Sequence, residues 1–127
     1  MDEDVQAAAA RLVRRLKEGG HTITVAESCT GGLLASAFTD IAGASQWFNQ
    51  SWVTYSNEAK VTELGVSPDL LEKKGAVSAG VAMAMAQGAV KRANASIAIS
   101  ITGIAGPSND GTNKKVGMVY VGIASST

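Results

Sequence analysis

Residues 25–32 read VAESCTGG, and they join two runs of different period. Before them, residues 21–27, HTITVAE, are rich in β-branched side chains and read as a strand. After them comes LLASAFTDIAG, an apolar run with helical character, so a helix is expected from Gly31 to about Asp40. A strand turning through glycines into a helix is the building unit of an α/β fold. The turn also carries a carboxylate, two hydroxyls and a thiol: Glu27, Ser28, Thr30 and Cys29. It is either a nucleophile-bearing loop or a polar turn.

The flanking sequence repeats the alternation. Residues 2–20, DEDVQAAAARLVRRLKEGG, predict a first helix, with acidic residues at its start and Arg14, Arg15 and Lys17 near its end, as the helix dipole favours. Val5, Ala8, Ala9, Leu12, Val13 and Leu16 share one face, and Gly19 and Gly20 stop the helix. SWVTYS, residues 51–56, predicts a second strand. Residues 57–65 predict a short helix capped by Asn57 and ended by Gly65. Residues 67–75 predict another, with Ser67 as cap, Pro68 at the first helical position and Gly75 as stop. A third capped helix, small on most faces, spans residues 78–94. ASIAISITG, residues 95–103, reads as a buried strand, and residues 116–125 as a last one after a Gly-, Pro- and Asp-Gly-bearing loop. The expected fold is a single α/β domain with helices on both faces of a sheet, with one helix fewer than full cover of the sheet requires.

Composition narrows the function. The chain has 127 residues, 11 basic and 11 acidic, so its net charge is zero and nothing points to a nucleic-acid partner. One cysteine and one histidine exclude an internal disulfide and a four-ligand structural zinc site, and no metal or cofactor is expected. The acidic start, MDEDVQ, is unlike a signal peptide, and no apolar run is long enough to span a membrane. NAS at Asn94 fits a glycosylation sequon, yet cytoplasm is the expected compartment.

In α/β sheets, ligands bind beyond the carboxyl ends of the strands. ESCTGG and TGIAGP, which follow the first and third strands, should meet there. Neither matches a P-loop or dinucleotide fingerprint. Free amides are expected near Thr30, Gly31 and Gly32, where they suit a phosphate or an oxyanion. Ser28, Cys29 and Thr30 are all candidate nucleophiles, and each needs a base. His21 starts the same strand, roughly 20 Å away at about 3.3 Å per residue, so it is excluded and reads as a residue after a helix stop. YSNEAK offers Lys60 as a base, if its amine is free, with Tyr55 alongside; the other reading of Lys60 is a solvated helix residue. Glu27 either holds Lys60 or a substrate hydroxyl, or hydrogen-bonds the turn. Asp110 reads as a turn residue, Met83 and Met85 as packing. One of Trp47 and Phe48 belongs to the core, leaving the other for an interface or a ligand.

In this order, TVAESCTGGLLASAFTDIAGAS, WFNQSWVTYSNEAKVTELGV, GAVS and ISITGIAGP resemble the CinA C-terminal domain family over about residues 5–125. The resemblance implies a three-layer α/β/α sandwich with a mixed sheet. It implies hydrolysis of the carboxamide of nicotinamide mononucleotide to nicotinic acid mononucleotide and ammonia, without a metal. Ser28 then maps to the nucleophile, Lys60 to the base and Tyr55 to a third catalytic residue alongside them. Glu27, Thr30, Gly31 and Gly32 line the substrate or oxyanion side, and Thr102 and Gly103 lie near the substrate. The family adds a strand, a GDR-like turn and a C-terminal helix beyond the last strand, so a shortened domain over residues 1–127 is expected here. The expected partners are the nucleotide and a second copy in a homo-oligomer, with a dimer foremost. The alternative is a catalytically silent nucleotide-binding module.

Overall fold

A computed structural model describes residues 2–104 and 116–127. The elements run α1 (Glu3–Gly19), β1 (Ile23–Glu27), α2 (Leu33–Thr39), a 3-10 turn (Ala44–Gln46), β2 (Trp52–Val53), α3 (Asn57–Leu64), α4 (Pro68–Lys74), α5 (Ala79–Arg92), β3 (Ile97–Gly103) and β4 (Val119–Ser125). The sheet order is β2-β1-β3-β4. β1 pairs in parallel with β2 and β3, and β4 runs antiparallel to β3, so the sheet is mixed.

Alternation along the strands divides the core in two. Ile23 and Val25 of β1 and Ile97 and Ile99 of β3 face α1 and α2, where Val13, Leu16, Phe38 and Trp47 pack. Ala26, Ala98 and Ala124 face α3, α4 and α5, against Leu64, Leu71, Val81, Met85 and Ala89. The result is three layers, α/β/α. Trp47 is the core member of the aromatic pair, edge-on to Phe38 at 6.0 Å. Phe48 is half-buried and stacks on Phe38 at 6.2 Å, so it serves the same core. Met85 is fully buried, but Met83 on the outer side of α5 is 41% exposed and does not pack as expected.

The small face of α5 lets it lie close to its neighbours. A Cβ at Gly88 would overlap the carbonyl oxygen of Leu64 at the end of α3, so only glycine fits that crossing. Ser100 on β3 donates to the Ala82 carbonyl at 2.5 Å, which ties the sheet to α5.

Several boundaries differ from the sequence expectation. The cap of α3 is Ser56, whose hydroxyl accepts from the Ala59 amide, rather than Asn57. Helix α2 starts at Leu33 because Gly31 and Gly32 take left-handed backbone angles, φ 64° and 109°. β2 is two residues long, not six. β3 buries alternate residues: one face is closed by α5 and the other is half-open. Beside it, Val119, Val121 and Ile123 of β4 are exposed, and among the described residues no helix covers them. Among the described residues no helix is long and apolar enough to cross a membrane.

Candidate active site

The site forms at the carboxyl ends of β1 and β2, where two chain segments leave the sheet. The Thr54 amide donates to the Glu27 carbonyl at 2.8 Å and extends the β1–β2 pairing by one bond. The chain then turns away, Ser56 caps α3, and Lys60 falls in that helix's first turn. Helical side chains lean toward the N-terminus, so Lys60 reaches back to the strand ends.

There it meets Ser28. Lys60 Nζ donates to Ser28 Oγ at 3.1 Å, to the Thr54 carbonyl at 2.8 Å and to the Tyr55 carbonyl at 3.3 Å. All three acceptors are uncharged. Lys60 is 1% exposed and Ser28 6% exposed, so Lys60 is not a solvated helix residue. Burial lowers the lysine pKa below its ordinary 10.5, partly opposed by the nearby Cys29 thiol, whose charge would raise it. A lysine with a lowered pKa and, among the described residues, no carboxylate partner is suited to act as a free amine.

The turn after β1 is organised by Glu27. Its carboxylate is fully buried and accepts from Thr30 Oγ1 at 2.7 Å, the Leu34 amide at 2.9 Å and the Ala35 amide at 2.9 Å. Of the two sequence readings, this is hydrogen bonding to the turn rather than holding Lys60. The Gly31 amide is also occupied, by the Ser28 carbonyl at 3.2 Å, so it is not one of the free amides expected there. Among the described residues, the amides of Cys29, Thr30 and Gly32 have no hydrogen-bond acceptor. These donors lie next to Ser28 in the turn, which suits an oxyanion.

The remaining candidates are arranged around this pair. Tyr55 offers its carbonyl to Lys60, but its ring is 72% exposed and stands outside the buried pair. Thr102 is buried and donates to the Ala76 carbonyl at 2.9 Å, anchoring the α4–α5 connection to the end of β3. Gly103 lies against the turn: a Cβ there would sit 3.1 Å from Cys29 Sγ. Cys29 is a half-buried free thiol. His21 is at the far end of β1, bonded through its amide to the Leu16 carbonyl at 2.9 Å. Asp110 and the end of TGIAGP lie outside the described residues. No group of three or more acidic, His or Cys side chains that could hold a metal occurs among the described residues.

Nothing in the sequence singles out Thr54. Among the described residues, its carbonyl is the shortest contact of Lys60 and its own buried hydroxyl has no partner. A backbone carbonyl leaves no residue-type signature, so only the early end of β2 could have marked it.

Comparison with known proteins places the chain as a whole. The CinA C-terminal domain matches residues 5–127. A CinA-like protein of Geobacter sulfurreducens is 51% identical over 123 residues, 97% of this chain but 29% of that protein. The nicotinamide-nucleotide amidohydrolase PncC of Escherichia coli K12 is 46% identical over 125 residues, 98% of this chain and 76% of that protein. The crystal structure of the competence/damage inducible protein CihA from Agrobacterium tumefaciens superposes with a TM-score of 0.95 at 40% identity, covering 99% of this chain and 76% of that one. The chain thus spans under a third of the long CinA-like relatives and three quarters of the shorter ones. With its motifs, its mixed α/β/α sheet and these matches in agreement, the chain belongs to the CinA C-terminal domain family.

Proposed function

We propose that this chain hydrolyses the carboxamide of nicotinamide mononucleotide through Ser28 as nucleophile and Lys60 as base. The observation that carries the reading is the 3.1 Å bond between the buried Lys60 amine and the Ser28 hydroxyl, beside unpaired turn amides. The amidohydrolase name of the Escherichia coli relative supports the substrate class.

Lys60, as the free amine, takes the Ser28 proton while Oγ attacks the carboxamide carbon. Negative charge moves to the carboxamide oxygen, where the unpaired amides of Cys29, Thr30 or Gly32 stabilise it. The Lys60 ammonium then gives its proton to the leaving nitrogen, and ammonia departs from an acyl-serine. Water attacks this ester, loses a proton to Lys60 and releases nicotinic acid mononucleotide, restoring the Ser28 hydroxyl. The pyridinium charge withdraws electrons from the carboxamide and favours this substrate over an uncharged amide. Thr102 and Gly103 border the site, and the exposed Tyr55 ring is proposed to meet the nucleotide at its mouth.

The test is ammonia release from nicotinamide mononucleotide by the 127-residue chain. Ser28→Ala and Lys60→Ala are expected to abolish release, and Cys29→Ala to retain it. Loss in Cys29→Ala with full activity in Ser28→Ala would overturn the serine mechanism. Ligand-dependent stabilisation without ammonia would mark a nucleotide-binding module instead.

A further inference from the structure

We infer that Glu27 is a positioning residue for the nucleophile: its buried carboxylate fixes the Ser28 turn against helix α2 and keeps the turn's own amides available. The inference rests on Ser28 being the nucleophile proposed above.

Helix α2 has Gly32 at its N-cap position and no side-chain cap there. Its second and third amides, Leu34 and Ala35, are the ones a capping side chain ordinarily accepts from. Glu27 supplies that acceptor from the preceding strand, one carboxylate oxygen to each amide, and takes the Thr30 hydroxyl as well. One side chain therefore closes the loop at both ends. Because the cap comes from outside the turn, the N-cap residue can be a glycine at φ 109°. The amides of Cys29, Thr30 and Gly32 are not drawn into capping.

The backbone of Glu27 serves the other half of the site. Its carbonyl accepts from the Thr54 amide at 2.8 Å, and the Thr54 carbonyl accepts from Lys60 Nζ at 2.8 Å. Changing the side chain disturbs the turn but leaves this backbone link to the lysine in place. The two halves should separate in experiment. The nucleophile and its oxyanion donors lose alignment, whereas the bonds of Lys60 to the Thr54 and Tyr55 carbonyls stay.

Glu27→Gln keeps the length but turns an NH2 group toward an amide donor. Thr30→Val keeps the carboxylate and removes one bond, and it covers the case in which Glu27→Gln does not fold. Two readouts are taken on the full chain. The first is the rate at which methanesulfonyl fluoride modifies Ser28, followed by mass across a pH series, with Ser28→Ala as blank. The second is kcat and KM for ammonia release from nicotinamide mononucleotide. Glu27→Gln is expected to slow modification and kcat by about 10- to 100-fold, at or below the roughly 100- to 1000-fold cost of removing one oxyanion donor outright. Thr30→Val acts in the same direction by less, with KM within about threefold and the pH midpoint unchanged, because the lost contacts matter in the transition state. A purely structural role would lower the folded fraction without this split. Modification at the wild-type rate in both variants overturns the inference, and so does a shift of the pH midpoint in Thr30→Val, which changes no charge. If the wild type is modified at Ser28 and Glu27→Gln slows it, yet no ammonia is released, the positioning role stands and the amidase reading falls. If Ser28 of the wild type is not modified, the positioning role falls whatever the ammonia assay gives.

Discussion

Lys60 Nζ lies 3.1 Å from Ser28 Oγ across 32 residues of chain, and both side chains are buried. Neither burial nor contact is local. They arise because β1 and β2 pair in parallel, so that the segments leaving both strands emerge at one end of the sheet.

The first consequence is a rate that depends on the lysine's proton. Lys60 must be the free amine to accept from Ser28, and burial lowers its pKa below 10.5. The rate kcat/KM is therefore expected to rise with pH through a midpoint below the ordinary lysine range. A profile flat across that range, or one that rises only at the pKa of an unburied lysine, would argue against Lys60 as base.

Stability should carry the same signature with a definite sign. In the unfolded chain Lys60 titrates near 10.5, and in the folded chain it titrates lower. Between the two values the unfolded state binds the extra proton, so folding stability rises with pH across that window, by at most about 1.4 kcal/mol per pH unit. Lys60→Met lacks this term. Urea unfolding of both chains across the window should give curves that differ in slope, with the variant's advantage largest at low pH. Parallel curves would contradict the lowered pKa.

Gly88 tests the packing of α5. Alanine is the better helix former by about 1 kcal/mol. Its Cβ would, however, overlap the Leu64 carbonyl oxygen, a backbone atom that cannot rotate away. Overpacking of this kind costs about 1–3 kcal/mol. Gly88→Ala is expected to lower the urea midpoint, and a higher midpoint would mean that the α3–α5 crossing is looser than described.

Thr102→Val keeps the shape of a buried side chain but removes the donor to the Ala76 carbonyl. Leaving that carbonyl unpaired should cost about 1–3 kcal/mol. Denaturation should register the loss, and a cost near zero would show that Thr102 does not anchor the α4–α5 connection.

Elements were more legible in the sequence than contacts. The Ser67–Pro68 start of α4 and the glycine stops follow from spacing and backbone preference, and the structure has them. Of the expected α1 face, Ala9, Val13 and Leu16 are buried and Leu12 half-buried, whereas Val5 and Ala8 are exposed. Ser56 and Asn57 are both capping residues in sequence, and only the backbone shows that Ser56 occupies the cap. SWVTYS has the composition of a full strand. Only Trp52 and Val53 remain in the sheet, because the chain then turns its Thr54 and Tyr55 carbonyls toward Lys60. The burial of Lys60 depends on long-range pairing, which no local pattern encodes. The bonds of Glu27 are local, to Thr30, Leu34 and Ala35, but the sequence does not show which way its carboxylate turns. The motif resemblance, not the spacing, favours Lys60 over a solvated residue.

The most direct test of the central claim is to quench turnover of nicotinamide mononucleotide in acid and locate any acyl group on the chain by peptide mass. The expected result is a nicotinic acid mononucleotide ester on Ser28, absent from Ser28→Ala. An adduct on Cys29, or ammonia release by Ser28→Ala, would contradict it.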